Sequence, residues 1–154
     1  MKRWVVSGVF AATLLMQTSF AQAGTAEKSL YERLGGQPAV QAVTSGLVDR
    51  ILADNRINKW FTHAAASPEN TKAYKAKLAD FICQAVGGPC KYTGRDMVAA
   101  HRGRGVTNDA FNAVAEDLVA VLDQLKVPTK EKAEVMKIVG SLKPSIVQEA
   151  SAKQ

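Results

Sequence analysis

Histidine and cysteine, the side chains that most readily bind metals or act as bases and nucleophiles near neutral pH, occur four times in 154 residues: His63, Cys83, Cys90 and His101. The histidines form no HxxxH or HExxH pair, so the common zinc arrangements are excluded. His101 lies in Asp96-Met97-Val98-Ala99-Ala100-His101-Arg102-Gly103-Arg104-Gly105-Val106-Thr107, just before two glycines that should stop a helix. A catalytic base would want polar company. Its nearest charged neighbours are Arg102 and Arg104, and Asp96 is five positions away, so no Ser/His/Asp or Cys/His set follows from spacing. Two readings remain. One is a structural histidine capping the carbonyls of its own helix, which composition alone favours. The other is a ligand whose neutral imidazole faces an apolar wall made by Met97 and Val98, with the glycines letting the backbone swing away. The second suits a metal carried in a flat apolar cofactor better than zinc, which needs three or four donors.

The elements that must position these residues read as helices, because apolar residues recur at three and four and strand signals are nearly absent. Ser29-Leu30-Tyr31-Glu32 is a capping-box pattern, closed by Gly35-Gly36. Val40, Val43, Leu47 and Ile51 form one stripe as far as Asp54-Asn55. A short segment from Arg56 to Phe61 precedes a small-residue stretch, Thr62 to Ser67, expected to be a loop. Ser67-Pro68-Glu69 opens the helix carrying Tyr74, Leu78, Phe81, Ile82 and Ala85, and Gly87-Gly88-Pro89 stops it. A short helix is expected from about Arg95 to His101. Thr107 caps the next, with Phe111, Val114, Leu118, Val121 and Leu125 on its stripe, and Pro128-Thr129 restarts a last helix that Pro144 should kink.

Residues 1–23 have the plan of an export signal: Lys2 and Arg3, an apolar run from Trp4 to Met16, and Ala21-Gln22-Ala23 as an A-x-A cleavage site. The run is short of the about 20 residues of a spanning helix, so cleavage rather than a stable membrane anchor is expected. Residues 24–154 then form a single domain in the periplasm or outside the cell. The formal charge of +6 falls to +4 once Lys2 and Arg3 are removed, and it is spread along the chain. With no zinc-finger spacing, RNP-type motif or long arginine tract, nucleic acid is not the expected partner. Cys83 and Cys90, with six residues between them, form neither CxxC nor CxxCH, leaving thioredoxin-type exchange and covalent c-type haem unsupported. In an oxidising compartment a disulfide across the Gly-Gly-Pro turn is favoured over two reduced thiols.

A set of motifs in order extends this reading. Tyr31-Glu32-Arg33-Leu34-Gly35-Gly36, Arg50-Ile51-Leu52-Ala53-Asp54, Trp60-Phe61, Phe81, Gly87-Gly88-Pro89, Tyr92-Thr93-Gly94 and Ala100 to Thr107 together resemble the truncated haemoglobins, specifically the group numbered first, over Leu30 to Val147. The resemblance implies an all-α fold, a two-over-two helical sandwich enclosing haem b, with His101 matching the proximal histidine on the iron. It implies that Met97 and Val106 flank the haem on the proximal side and that Phe61 packs against it from the distal side. Without the family, Phe61 reads as an ordinary core aromatic. Tyr92 and Lys77 match positions that contact haem propionates, although both also read as solvated surface.

The distal side departs from the family. Most members place a phenylalanine and a tyrosine on the first long helix, and here the pair is Leu47-Val48. Valine donates no hydrogen bond, so bound dioxygen loses a term of about 1.5 kcal/mol or less. Tyr74, on the facing helix, is the candidate replacement donor, whereas Leu78 occupies a position where some members carry glutamine and adds none. Lys77 sits where certain members use an internal sixth ligand, a role that requires desolvation to lower its pKa. His63 reads as a loop histidine.

The leading function is reversible binding of a diatomic gas (oxygen, nitric oxide or carbon monoxide), serving oxygen binding and transport or nitric oxide detoxification. Nitric oxide dioxygenase activity would need an external reductase. One alternative is a six-coordinate electron-transfer protein using Lys77. Another is a haem-free helical binding module in which His101 is structural.

Overall fold

In the computed structural model, which describes residues 27–148, the capping box expected near the start is formed on both sides. Ser29 Oγ accepts the Glu32 N–H, the Glu32 carboxylate accepts the Ser29 N–H, and the pair opens α1 (Leu30–Leu34). After Gly35 the chain restarts at once as α2 (Gly36–Ala53), whose buried Val40, Val43, Thr44, Leu47, Val48 and Ile51 share one face. The signal expected at 1–23 and the end of the chain from residue 149 onward lie outside the described residues.

The stretch expected to be a loop is helical. A 3₁₀ turn (Asn58–Phe61) runs into α3 (Thr62–Ala65). Thr62 to Ala66 contain neither glycine nor proline, and the alanines that looked like loop residues are strong helix formers. The last carbonyls of α3 are satisfied from the following helix: Asn70 Nδ2 donates to His63 O at 3.0 Å and Thr71 Oγ1 to Ala64 O at 2.7 Å. Ser67 then caps α4 (Pro68–Ala85).

Asp96, not Arg95, starts α5 (Met97–His101), because its Oδ1 accepts the Ala99 N–H. Thr107 caps α6 (Asn108–Gln124), and α7 (Thr129–Ile146) follows Pro128. Pro144 falls in the last turn of α7, where the donor it lacks would serve the carbonyl of exposed Gly140, and the helix runs on to Ile146.

No strand occurs among the described residues. Helix α2 packs on α4 and α6, and α6 packs on α7, giving the expected pair of helices laid over a second pair. Gly46 makes the α2–α6 crossing close: a Cβ there would lie 3.0 Å from Val121 Cγ1. Ile51, Ile57 and Leu122 fill the centre. Arg33 fastens α1 to α7 through Glu131, at 2.7 Å, and Glu134. Helix α5 rests on α7, away from the main crossing. Cys83 and Cys90 are bonded, with Cα atoms 5.7 Å apart, so the favoured disulfide ties the end of α4 to the segment leading into α5.

Candidate functional site

His101 closes α5 half-buried, with Nδ1 2.8 Å from the carbonyl oxygen of Met97. A carbonyl can only accept, so the proton of this contact belongs to Nδ1, and neutral imidazole keeps a lone pair on Nε2. The structural and the ligand readings are therefore not rivals. One nitrogen caps the helix, and that bond fixes the ring and prepares the other nitrogen to coordinate. Asp96 is occupied at the opposite end of α5, and no carboxylate bonds to His101 among the described residues.

The loop after His101 is held from two distant places. Gln148 Oε1 accepts the N–H groups of Gly103 (3.0 Å) and Gly105 (3.3 Å), and the Gln148 N–H donates to Val106 O at 2.9 Å. From the other side Trp60 Nε1 donates to Arg104 O at 2.9 Å. Gly103 (φ +74°) and Gly105 (φ +62°) are left-handed, yet a Cβ at either would meet nothing within 4 Å. Backbone sign, not room for a neighbour, is what requires glycine there. The sequence pattern singled out neither Gln148 nor the Trp60 indole as a partner of this loop. A polar residue at a chain end and a tryptophan beside a 3₁₀ turn carry no local signature of such a role.

The distal candidates come from α2, the 3₁₀ turn and α4. Val48 is fully buried and apolar. Thr44, one turn earlier, spends its hydroxyl on Val40 O at 2.7 Å. Phe61 and Tyr74 meet edge to face with ring centroids 6.0 Å apart. Burial pushes the Tyr74 phenol up to about 12, and the charge of Arg104 pulls against that shift. Tyr74 is half-buried, and its hydroxyl has no hydrogen-bond partner among the described residues.

Leu78 packs against the core, Met97 is half-buried, and Val106 is buried. Tyr92 stacks edge-on to Phe81 at 5.3 Å and gives its hydroxyl proton to Arg95 O at 2.9 Å, which commits the donor expected for a propionate. Lys77 and His63 are exposed. A separate apolar cavity of about 240 Å³, lined by residues that include Val40, Val43, Ile82, Leu122 and Val135, contains none of the candidate site residues. Among the described residues no group of three or more His, Cys, Asp or Glu side chains gathers around a metal position, and no helix is long and apolar enough to cross a membrane.

The sequence matches the bacterial-like globin family model over residues 29–148. It is 35% identical over 118 residues to the group 1 truncated haemoglobin GlbN of Mycolicibacterium paratuberculosis, covering 77% of this chain and 83% of that protein. The chain belongs to the truncated haemoglobins. Group 1 GlbN of Synechocystis is 36% identical over 117 residues, covering 73% of this truncated haemoglobin and 90% of that protein. The crystal structure of the Tetrahymena pyriformis truncated haemoglobin in its Fe(III) form superposes with a TM-score of 0.70 at 28% identity, over 79% of this chain and all of the other. The Synechococcus 2/2 haemoglobin, crystallised in the cyanomet state with covalently attached haem, gives 0.67 at 37% identity, over 75% and 94%.

A truncated haemoglobin is a haem-binding globin that takes diatomic gases, and the side chains of this one fit that cofactor. The imidazole of His101 has its Nδ1 engaged and Nε2 available. Half-buried Tyr74 offers a hydroxyl, its ring packed edge to face against Phe61.

Proposed function

We propose that His101 holds the iron of haem b through Nε2 and that the protein binds a diatomic gas reversibly on the other face. The observation that carries this reading is the 2.8 Å contact between His101 Nδ1 and Met97 O, which assigns the tautomer a ligand needs. Haem, when bound, supplies an iron centre that accepts oxygen, nitric oxide or carbon monoxide. Met97 and Val106 wall the proximal side. Phe61, Leu78 and Val48 wall the distal side and keep out water, which favours departure of dioxygen as the neutral molecule over loss of superoxide. Tyr74 is the distal hydrogen-bond donor in place of the tyrosine that Val48 replaces. Lys77 and Tyr92 are the propionate contacts, Tyr92 only by giving up its bond to Arg95 O.

Residues 1–23 are proposed to be a cleaved export signal that delivers residues 24–154 to the periplasm or the exterior, and the Cys83–Cys90 disulfide supports an oxidising compartment. Amino-terminal sequencing of the periplasmic protein should start at Gly24. A start at Met1 in the cytoplasm would refute export. Absorption spectra of the purified protein, ferric and dithionite-reduced, test the haem site. A Soret band in the wild type that is lost in His101→Ala and restored by imidazole is expected, whereas an unaltered spectrum in that variant would remove His101 from the iron.

A further inference from the structure

We propose that the Cys83–Cys90 disulfide is a redox-controlled clamp on the haem cleft: while bonded it holds the proximal helix α5 close to the distal helix α4, and its reduction by a thiol speeds haem release. The inference rests on the haem site proposed above, in which Tyr74 and Leu78 of α4 face His101 of α5 across the cofactor. The two helices take their main packing from different neighbours, α4 from α2 and α3, and α5 from α7. What joins them is residues 86–96, which form neither helix nor strand.

That segment is drawn back onto the last turn of α4 at Gly88, Cys90 and Tyr92. Gly88 N–H donates to Cys83 O at 2.8 Å, Cys90 is bonded to Cys83, and Tyr92 N–H donates to Gln84 Oε1 at 2.8 Å with its ring edge-on to Phe81. The central tie is the covalent one. Without it, residues 86–95 could extend to about 34 Å, whereas with Cys90 fixed only residues 91–95 are free, a reach of about 17 Å. The bridge therefore halves the chain available for α5 to move away from α4, and it lowers the entropy that the Tyr92 contacts must overcome. Tyr92 is also a proposed propionate contact, so the same bond steadies one edge of the cofactor.

The ends of the bond differ in access. Cys83 is fully buried, and the Gly88 backbone packs so closely on its sulfur that a Cβ at Gly88 would lie 2.6 Å from Sγ. Cys90 is half-buried, between exposed Pro89 and Lys91. A thiolate therefore attacks Cys90 Sγ, forming a mixed disulfide there and expelling the Cys83 thiolate, which takes up a proton. A second thiolate attacks the reductant's sulfur of that mixed disulfide and displaces Cys90, which is protonated in turn. The sum is a thiol at each cysteine and one disulfide of the reductant, two electrons having passed from reductant to protein.

Dithiothreitol is the probe. The ferric holoprotein, reduced with it and freed of it by anaerobic gel filtration, should pass haem to apomyoglobin about tenfold faster than the untreated protein, and reoxidation should restore the slow rate. Cys90→Ser should show the fast rate with or without the reagent. Amide hydrogen exchange of the protein as purified should quicken on reduction at residues 88–101 and stay unchanged through α2 and α6, a pattern that a bond serving only overall stability would not give. A disulfide that survives dithiothreitol in the folded protein, haem transfer that differs less than about twofold between the two states, or exchange that rises equally in α2 and α6 would overturn the inference. Failure of the haem reading is distinguishable, because it would appear as an unaltered His101→Ala spectrum with the disulfide intact.

Discussion

On one side of the proposed haem plane a single five-residue helix carries the essential group, and its bonds are local: His101 to Met97, Arg102 to Val98, Ala99 to Asp96. On the other side Val48, Phe61 and Tyr74 come from three separate elements and meet only through tertiary packing. The proximal side is fixed by hydrogen bonds with particular partners, so few residue types can serve. In the proposed site the distal side is fixed by shape, with apolar Val48 on α2 and the hydroxyl of Tyr74 on a different helix. Under the proposed function the proximal side determines that a haem is held, and the distal side how its gas is treated.

The largest expected effect breaks the proximal half. His101→Ala should weaken haem retention by about 100-fold or more, read by haem transfer to apomyoglobin, since no second histidine is poised on α5. Val48→Tyr tests the distal half from the α2 side. The added ring should cost about 1–3 kcal/mol in denaturant unfolding because Val48 is fully buried, and its hydroxyl should slow dioxygen release up to about tenfold in flash photolysis and stopped-flow mixing. Tyr74→Phe should speed release by up to about tenfold if the hydroxyl reaches the gas, and an unchanged rate would place it outside the pocket. Gln148→Ala should cost about 1–2 kcal/mol of stability through the freed Gly103 and Gly105 amides and loosen haem less than His101→Ala does.

The smallest effect is alkaline. The folded Tyr74 phenol holds its proton up to about 12, against an ordinary value of 10.0. Between those values the folded chain binds more protons than the unfolded one, so this group's contribution is intact below pH 10.0 and is lost as pH rises toward 12. Urea midpoints of the haem-free protein should decline over that window, and less steeply in Tyr74→Phe.

Local signals carried most of the fold into the sequence. The caps at Ser29, Ser67 and Thr107 each act through a side chain and an N–H three residues on, and the apolar stripes of α2 and α6 need only a helical period. Residues 62–65 carry no local helix-capping signal, because the side chains that complete α3, Asn70 and Thr71, belong to the next helix. At the site, the local environment of His101 was legible but stayed ambiguous, because capping and coordination use opposite nitrogens of one ring. The ties from Trp60 and Gln148 were not legible, since both cross more than forty residues to backbone groups that have no side-chain identity to match.

Those ties also order events in time. The Arg104 carbonyl receives its donor from 44 residues upstream, while the Gly103 amide waits for an acceptor 45 residues downstream. During vectorial synthesis the first anchor emerges before His101 and the second only 45 residues after Gly103. Loop closures of this span are among the slower steps in assembling a helical domain. The loop that follows His101 is therefore fully held only once residue 148 has joined the fold.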